Sequence, residues 1–199
     1  RLEMIDDSSD LIIDEGDGTI DFPRGAMVSA RTMEFCRRWD VAGKVASAGF
    51  PQDYKLDMLY CTSLTGHLLE REPYPAQRDR LPPPQSPETR TWCPQLQLDP
   101  LLARSAAEHP GVAMRYRGRL EHWEQDEKRI LAYIRDLERN EEVVVSADYM
   151  IACDGAASSV REAAGIAQDG NPTLSYSVNI LFRCPDLVAA SGKGESERA

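Results

Sequence analysis

The sequence predicts a mixed α/β (α+β) fold with an inserted antiparallel β-meander and a separate β-rich portion. Two short apolar runs, at 11–14 and 149–153, are typical of buried strands in a parallel sheet. Between them, extended runs at about 112–125, 129–137 and 142–146 predict the meander. Helical patterns lie between the strands, so helices and strands are mixed along the chain.

Two helices are predicted in the first half of the chain. Ser29 is a suitable N-cap for a helix that ends at about Trp39. Apolar residues recur along this segment at a spacing of three: Met33, Cys36 and Trp39. Asp99 and Pro100 offer an acidic N-cap followed by proline at the first helical position. They predict a second helix that runs to about Glu108.

The β-rich portion is predicted around a proline-rich stretch at 73–87. Proline fixes φ and lacks an amide hydrogen, so this stretch is expected to be irregular. Alternating apolar residues at 54–61 and 174–183 predict half-buried strands, and Leu68 begins a return strand after a turn.

Bulk composition excludes several classes of function. Apolar residues make up 42% of the chain and charged residues 28%, which is ordinary for a globular protein. The formal net charge of −10 argues against nucleic-acid binding, which needs clustered lysines and arginines. The sequence has no signal-peptide pattern and no apolar run of about 18 residues, so no membrane partner is expected.

Cysteine and histidine spacing indicates neither disulfides nor a metal site. The 5 cysteines are widely spaced and form no CxxC pair, which favours buried free thiols in a reducing cytoplasm. The 3 histidines are isolated from one another and from cysteine or carboxylate clusters at ligand spacing. We therefore expect a cytoplasmic protein without a metal.

The segment from Cys153 to Arg161 has the clearest chemical pattern. It follows an apolar run and opens a short helix that begins at Ser158 and ends near Gly165. Gly155 lets the backbone approach a ligand closely. The amides at the helix start and the Arg161 guanidinium favour an anion such as a diphosphate. An ordinary strand–turn–helix connection with a capping serine fits the spacing equally well.

This segment resembles the Asp-Gly motif, close to D-G-A-x-S-x-V-R, of the flavoprotein aromatic-ring hydroxylases. These are the para-hydroxybenzoate hydroxylase-like, single-component FAD-dependent monooxygenases. The fixed places of the motif are all matched, by Asp154, Gly155, Ala156, Ser158, Val160 and Arg161. Within the family, the chain is most similar to the branch acting on phenols and hydroxyphenylpropionate-like compounds. The resemblance implies an FAD/NAD(P)-binding Rossmann-like domain and part of a β-rich substrate domain.

Other segments resemble the same family. The stretch from Asp21 to Phe35 is similar to its PRG…RTMEF region, where the second arginine lies beside the flavin diphosphate. By this resemblance Arg31 has that role and Arg24 is a further candidate. Asp14 matches an acidic residue that binds the adenosine ribose in the family. Gln95 matches a flavin-contacting glutamine that lies just before a helix. By residue type alone, Asp14 is a turn acid and Gln95 a polar residue at a strand end. Arg31 is by the same measure a solvated helix residue.

The resemblance implies that NAD(P)H reduces FAD and that the reduced flavin uses O₂ to hydroxylate an activated phenolic ring. FAD and NAD(P)H are the expected cofactors, and a small aromatic compound is the expected substrate. No catalytic side chain is assigned, NADH and NADPH both remain open, and a homodimer is compatible with the sequence. One alternative is a non-catalytic α/β domain of the same fold that lacks flavin. Another is a flavin reductase or halogenase that uses the same cofactor site.

The resemblance also suggests how the chain is divided. Residues 1–52 and 90–170 are expected to form part of an FAD-binding domain, and 53–89 and 171–199 part of a substrate-binding β-sheet domain. The opening G-x-G-x-x-G turn of the family and its later Gly-Asp motif have no match here. We therefore expect a middle fragment of the enzyme that alone binds FAD weakly or not at all and has no hydroxylase turnover.

Overall fold

The computed structural model describes residues 10–22, 24–48, 50–171, 173–180 and 182–194. The strands in these ranges are β1 (Asp10–Ile13), β2 (Met27–Val28), β3 (Met58–Cys61), β4 (Leu68–Glu72), β5 (Thr91–Trp92), β6 (Val112–Arg115), β7 (Gly118–Gln125), β8 (Ile130–Asp136) and β9 (Glu141–Ala147). The α-helices are α1 (Ala30–Arg38), α2 (Ala42–Ala46), α3 (Gln95–Ala107), α4 (Ser159–Ala163) and α5 (Leu187–Ser191). The predicted mixed α/β class is confirmed.

The chain divides into two compact units. The meander unit holds the described residues up to Gly18 and those from Pro110 to Ile180, and the helical unit holds the remainder. The boundaries of these units are set by how the chain packs, and they differ from the division into cofactor and substrate domains expected from the sequence. That division stays a prediction.

The meander unit contains a parallel pair and a three-stranded antiparallel sheet. β1 pairs with β6, and β8 lies between β7 and β9. The buried side chains of Ile134, Val143 and Val145 form its core, against which Leu11 and Ile13 pack. The predicted antiparallel meander is thus confirmed in β7, β8 and β9. The first predicted run, at about 112–125, divides into β6, which pairs with β1, and β7.

The helical unit is built around α1. Ser29 caps α1 as predicted, since its hydroxyl accepts a hydrogen bond from the Thr32 amide at 3.1 Å. Met33 and Cys36 on one face of α1 are buried with Val41 and Val45. Trp39, which the spacing of three also assigned to this face, is 54% exposed because it follows the last residue of α1.

The start of α3 differs from the prediction. The helix begins at Gln95, with Pro94 as N-cap, and Pro100 lies inside it. The amides of Gln97 and Leu98 already bond to the Pro94 carbonyl, at 2.7 and 3.0 Å. Pro94 therefore starts the helix one turn early, and the cost at Pro100 is one missing hydrogen bond to the carbonyl four residues before it.

Two predicted strands, at 149–153 and 174–183, are wrong for the residues that the structure describes. Tyr149, Ile151 and Tyr176 are 88%, 85% and 93% exposed. An extended segment becomes a strand only when a neighbour satisfies its backbone groups, and no other described strand pairs with either segment. At 54–61 the strand is shorter than predicted and begins at Met58.

The cysteines differ in their exposure to solvent. The described cysteines are free, but Cys153 and Cys184 are exposed, which contradicts the expectation that the thiols would be buried. No helix in the described ranges is long and apolar enough to cross a lipid bilayer. Among the same residues, no cluster of histidine, cysteine and carboxylate side chains has the size of a metal site.

Candidate functional site

The Asp-Gly segment forms an exposed turn before α4. Gly155 has a φ of +85°, a conformation that glycine adopts without strain. A Cβ placed on Gly155 would meet no atom within 4 Å, so the backbone of this turn is open to a neighbouring molecule. This fits the close approach that the sequence predicted for a diphosphate.

The first amides of α4 already have partners. The Asp154 carboxylate accepts from the Val160 amide at 3.3 Å, and the Ser158 hydroxyl accepts from the Arg161 amide at 3.0 Å. The Ser158 hydroxyl, more than the Val160 amide, lowers the pKa of Asp154 below its ordinary value. Asp154 therefore stays ionised at neutral pH. The groups left for a ligand lie in the turn itself, at Gly155 and Ala156, rather than at the helix start.

Arg161 is held against the same turn. Its Nη1 donates to the Ala156 carbonyl at 2.7 Å, and Gln168 donates to that carbonyl at 3.2 Å. The Arg161 side chain is 20% exposed, and its Nη2 pairs with the Glu162 carboxylate at 3.5 Å. Its Nε–H is buried without a hydrogen-bond partner among the described residues. Arg161 thus places a fixed cation close to the Gly155 turn, and a diphosphate would compete with Glu162 for it.

Arg31 lies in the first turn of α1 with a 72% exposed side chain. Its Nη1 contacts Glu34 at 2.5 Å, and its guanidinium lies 4.6 Å from the Phe35 ring centre. Hydrogen bonds from Ser86 first and Arg31 second lower the pKa of Glu34. Arg31 therefore already has an anionic partner, and any diphosphate would compete with Glu34 for it.

Gln95 and Arg24 are directly joined. The Arg24 amide donates to Gln95 Oε1 at 2.8 Å, and Gln95 Nε2 donates to Asp99 at 3.0 Å. Gln95 is the first residue of α3 rather than a strand residue before the helix. Arg24 and Gln95 are thus two candidate cofactor residues that the helical unit places in direct contact.

Asp14 follows the last residue of β1, as expected for the end of a parallel strand. Its Oδ1 accepts from the Gly16 amide at 2.6 Å. Asp14 and the segment from Asp154 to Arg161 belong to the meander unit, while Arg24, Arg31 and Gln95 belong to the helical unit. Cofactor roles for all of these residues stay predictions.

The helical unit also contains features that sequence reasoning missed. A cleft of about 350 Å³ is lined by residues that include Tyr74, Arg80, Leu81 and Arg90. The signal in the sequence was limited to two arginines, Arg80 within the proline-rich stretch at 73–87 and Arg90 just after it.

A second missed feature is a partly buried charged cluster. Asp57 is bonded to Arg71 at 2.7 Å, and Arg71 also donates to the Lys193 carbonyl. Asp57 and Lys193 are only 8% exposed. Because Lys193 lies more than a hundred residues further along the chain, the pattern around Asp57 could not have indicated this contact.

The chain matches a family model described as an FAD binding domain over residues 8–196. It is 28% identical to the aklavinone 12-hydroxylase of Streptomyces peucetius over 198 residues, which cover 94% of this chain and 38% of that protein. It is 29% identical to the 2,4-dichlorophenol 6-monooxygenase of Delftia acidovorans over 174 residues, covering 85% of this chain and 29% of the relative.

Among solved structures, the rebeccamycin biosynthetic enzyme RebC with reduced flavin is similar to this chain. The TM-score is 0.71 at 39% identity, over 78% of this chain and 29% of RebC. The chain therefore spans about a third of the length of the proteins it matches.

Relatives named as hydroxylases and monooxygenases confirm the resemblance that the Asp-Gly motif indicated. The family match covers nearly all of the chain, from residue 8 to residue 196, and the neighbouring structure shares the fold. This chain belongs to the FAD-binding domain family, with relatives among the flavin-dependent aromatic hydroxylases.

Proposed function

We propose that this chain supplies part of the FAD site of a monooxygenase that hydroxylates an aromatic, phenolic compound with NAD(P)H and O₂. The observation that carries the proposal is the open Gly155 turn beside the fixed guanidinium of Arg161, in a chain of the FAD-binding domain family. The turn leaves backbone donors accessible, and the cation lies beside them, which is what a diphosphate requires.

Each candidate residue has a defined part in this proposal. Arg161 would neutralise a diphosphate oxygen through its partly exposed guanidinium, while Gly155 and Ala156 would offer amide hydrogens. Ser158 and Asp154 would hold the turn in shape, since they cap α4. When bound, FAD supplies the redox chemistry, and this chain positions it and excludes water.

Further candidate contacts would come from the other predicted residues. Asp14 would accept from the adenosine ribose, and Arg31 would reach the diphosphate after leaving Glu34. Gln95 would contact the flavin with the amide hydrogen that Asp99 does not use. In this proposal residues 1–52 and 90–170 serve FAD, and 53–89 and 171–199 serve the substrate.

The test is a titration of the purified chain with FAD, followed by flavin fluorescence. We expect weak but saturable binding that is about tenfold weaker in Arg161→Gln, since a charged hydrogen bond to an anion is lost. Arg139→Gln is the matched control, because Arg139 lies in the β8–β9 turn outside the site. Equal FAD affinity in wild type and Arg161→Gln would contradict the proposed role.

A second function is a non-catalytic α/β domain of the same fold that lacks flavin. It is favoured by the contacts of Arg31 and Gln95, whose side chains already bond to protein groups. This function predicts a colourless chain that shows no saturable response to added FAD, and the same titration distinguishes the two.

A further inference from the structure

A short proline-rich segment, residues 83–88, is held against α1 within the helical unit. The Ser86 hydroxyl donates to the Glu34 carboxylate at 2.7 Å. Two residues further along the segment, Glu88 pairs with Arg37 at 3.1 Å. Two carboxylates therefore join the segment to the helix, one contributed by each side.

The surroundings of Ser86 fix the direction of its hydrogen bonds. Its oxygen accepts from the Glu88 amide at 3.1 Å, so its own hydrogen is left for Glu34. The Ser86 amide donates to the Pro83 carbonyl at 3.0 Å, which closes a turn. Pro87 follows directly and has a fixed φ. The Ser86 hydroxyl is therefore a donor already in place, and little ordering is needed for it to hold Glu34.

Glu34 uses both of its carboxylate oxygens. Oε1 accepts from Ser86, and Oε2 pairs with Arg31 Nη1 at 2.5 Å. The hydrogen bond from Ser86 first, and that from Arg31 second, lower the pKa of Glu34, so this carboxyl stays ionised at neutral pH. The Glu34 side chain is 24% exposed, whereas that of Arg31 is 72% exposed. Glu34 is thus a fixed internal anion, and Arg31 is the exposed member of the pair.

Arg31 is held at a second point by an aromatic ring. Its guanidinium lies 4.6 Å from the centre of the Phe35 ring, and that ring stacks on Trp39 at 5.7 Å between centres. A diphosphate at Arg31 would place negative charge beside the Glu34 carboxylate, and like charges repel. A diphosphate therefore binds this guanidinium at the expense of its pair with Glu34.

We propose that Glu34, placed by Ser86, is an internal competitor that holds Arg31 away from a diphosphate and so lowers the affinity of the chain for FAD. Movement of the 83–88 segment would release Glu34 and free Arg31. The proposal rests on the proposed function, because it concerns a guanidinium that would reach the FAD diphosphate. It also joins a segment expected to serve the substrate to a helix expected to serve FAD, so a change in the first would alter the affinity of the second.

The test follows the Arg31 guanidinium of the full chain by NMR during titration with inorganic pyrophosphate, at about 0.15 M salt, where distant charges are screened. Glu34→Gln keeps the shape of the side chain and removes its charge. The Kd for pyrophosphate at Arg31 should fall about fourfold in this variant, which is the range that a partly exposed ion pair contributes. Ser86→Ala leaves the charge of Glu34 but removes its anchor, and a smaller fall of about twofold is expected.

Glu88→Gln is the matched control for the loss of one negative charge. Glu88 lies in the same segment, is 17% exposed and pairs with Arg37 instead of Arg31. Its Kd at Arg31 should stay close to that of wild type. A Kd in Glu34→Gln that is unchanged or higher, or an equal fall in Glu88→Gln, would overturn the proposal. An unchanged Kd in Ser86→Ala would overturn the control by the 83–88 segment, and no response of Arg31 in any variant would overturn the role of Glu34.

The same variants, titrated with FAD, separate this proposal from the proposed function. Tighter pyrophosphate binding at Arg31 in Glu34→Gln, without FAD binding in any form of the chain, would keep the internal competitor and reject the flavin function. FAD binding that is weakened by Arg161→Gln but left unchanged by Glu34→Gln would keep the flavin function and overturn the competitor. Tighter binding of both ligands in Glu34→Gln is the expected result.

Discussion

Two glycines with open surroundings differ in their backbone conformation. A Cβ on Gly155 or on Gly43 would meet no atom within 4 Å. Gly155 has a φ of +85°, whereas Gly43 lies within α2. Replacement by alanine is therefore expected to change the free energy of unfolding in opposite directions at the two positions, since their backbone conformations differ.

Replacing each glycine with alanine tests this difference. Gly155→Ala should lower the free energy of unfolding by about 1 kcal/mol, because a side chain in the left-handed region is strained. Gly43→Ala should raise it by about 0.5 to 1 kcal/mol, because the unfolded chain loses freedom while the helix loses nothing. Urea unfolding of both variants beside wild type provides the measurement. A stabilising Gly155→Ala would show that the turn readily adopts another backbone conformation.

The ion pair between Asp57 and Arg71 predicts a dependence of stability on pH. The hydrogen bond from Arg71 is the main cause that lowers the pKa of Asp57. For a carboxyl whose folded pKa is lowered, the stabilisation is full above the unfolded pKa of about 4 and is lost as pH falls through the folded pKa. Asp57→Asn should therefore cost about 2 kcal/mol near neutral pH and progressively less below about pH 4.

Urea unfolding at neutral pH and at about pH 3 measures this difference. Asp79→Asn is the matched control, because its 3.7 Å pair with Arg78 is between side chains more than 60% exposed, and exposed pairs contribute little. A cost of Asp57→Asn that is the same at both pH values would assign the effect to packing of the amide instead of charge.

At the scale of elements, pairing decides which predicted strands form. The extended runs at about 129–137 and 142–146 predicted two strands of the meander, and β8 and β9 pair with each other because they lie close together in the chain. The apolar run at 149–153 has the same local character, but its pairing depends on a neighbour that a pattern within one segment cannot identify. The early start of α3 was missed for a related reason, since two plausible prolines compete and a pattern does not rank them.

Matched isoleucine substitutions test this contrast between the two apolar segments. Ile134 in β8 is 0% exposed, whereas Ile151 is 85% exposed. Ile134→Ala should cost about 3 kcal/mol through lost burial and a cavity, and Ile151→Ala should stay within about 0.5 kcal/mol. Urea unfolding followed by far-ultraviolet circular dichroism measures both. A large cost at Ile151 would mean that the segment at 149–153 is packed in solution.

For the whole molecule, hydrogen exchange should map the paired strands. Amides of β7, β8 and β9 are expected to stay protected long after those at 149–153 and 173–180 have exchanged. Mass spectrometry of peptic peptides at increasing exchange times gives the measurement. Protection of the two exposed segments equal to that of β8 would show that they are paired.

Much of the candidate site could be predicted and part of it could not. The Asp-Gly motif lies within one short segment, so the sequence identified its turn, its capping serine and its arginine. The contacts that hold Glu34 and Gln95 were not predictable in the same way. Ser86 bonds to Glu34 and the Arg24 amide bonds to Gln95, so both contacts join residues far apart in the chain. The cleft around Arg90 is lined mainly by residues between 74 and 90, and Ala30 is the part of its lining that comes from a distant segment.

The bonds of Gln95 restrict what else could stand at that position. Its oxygen faces an amide hydrogen of Arg24 and its nitrogen faces the Asp99 carboxylate, so a flipped side chain would set donor against donor and acceptor against acceptor. Glutamate has nearly the same shape but would place two negative charges side by side, and methionine would lose both bonds. The side chain of Gln95 therefore joins two stretches of chain that are 71 residues apart, and it can do so only with a primary amide, which glutamate and methionine lack.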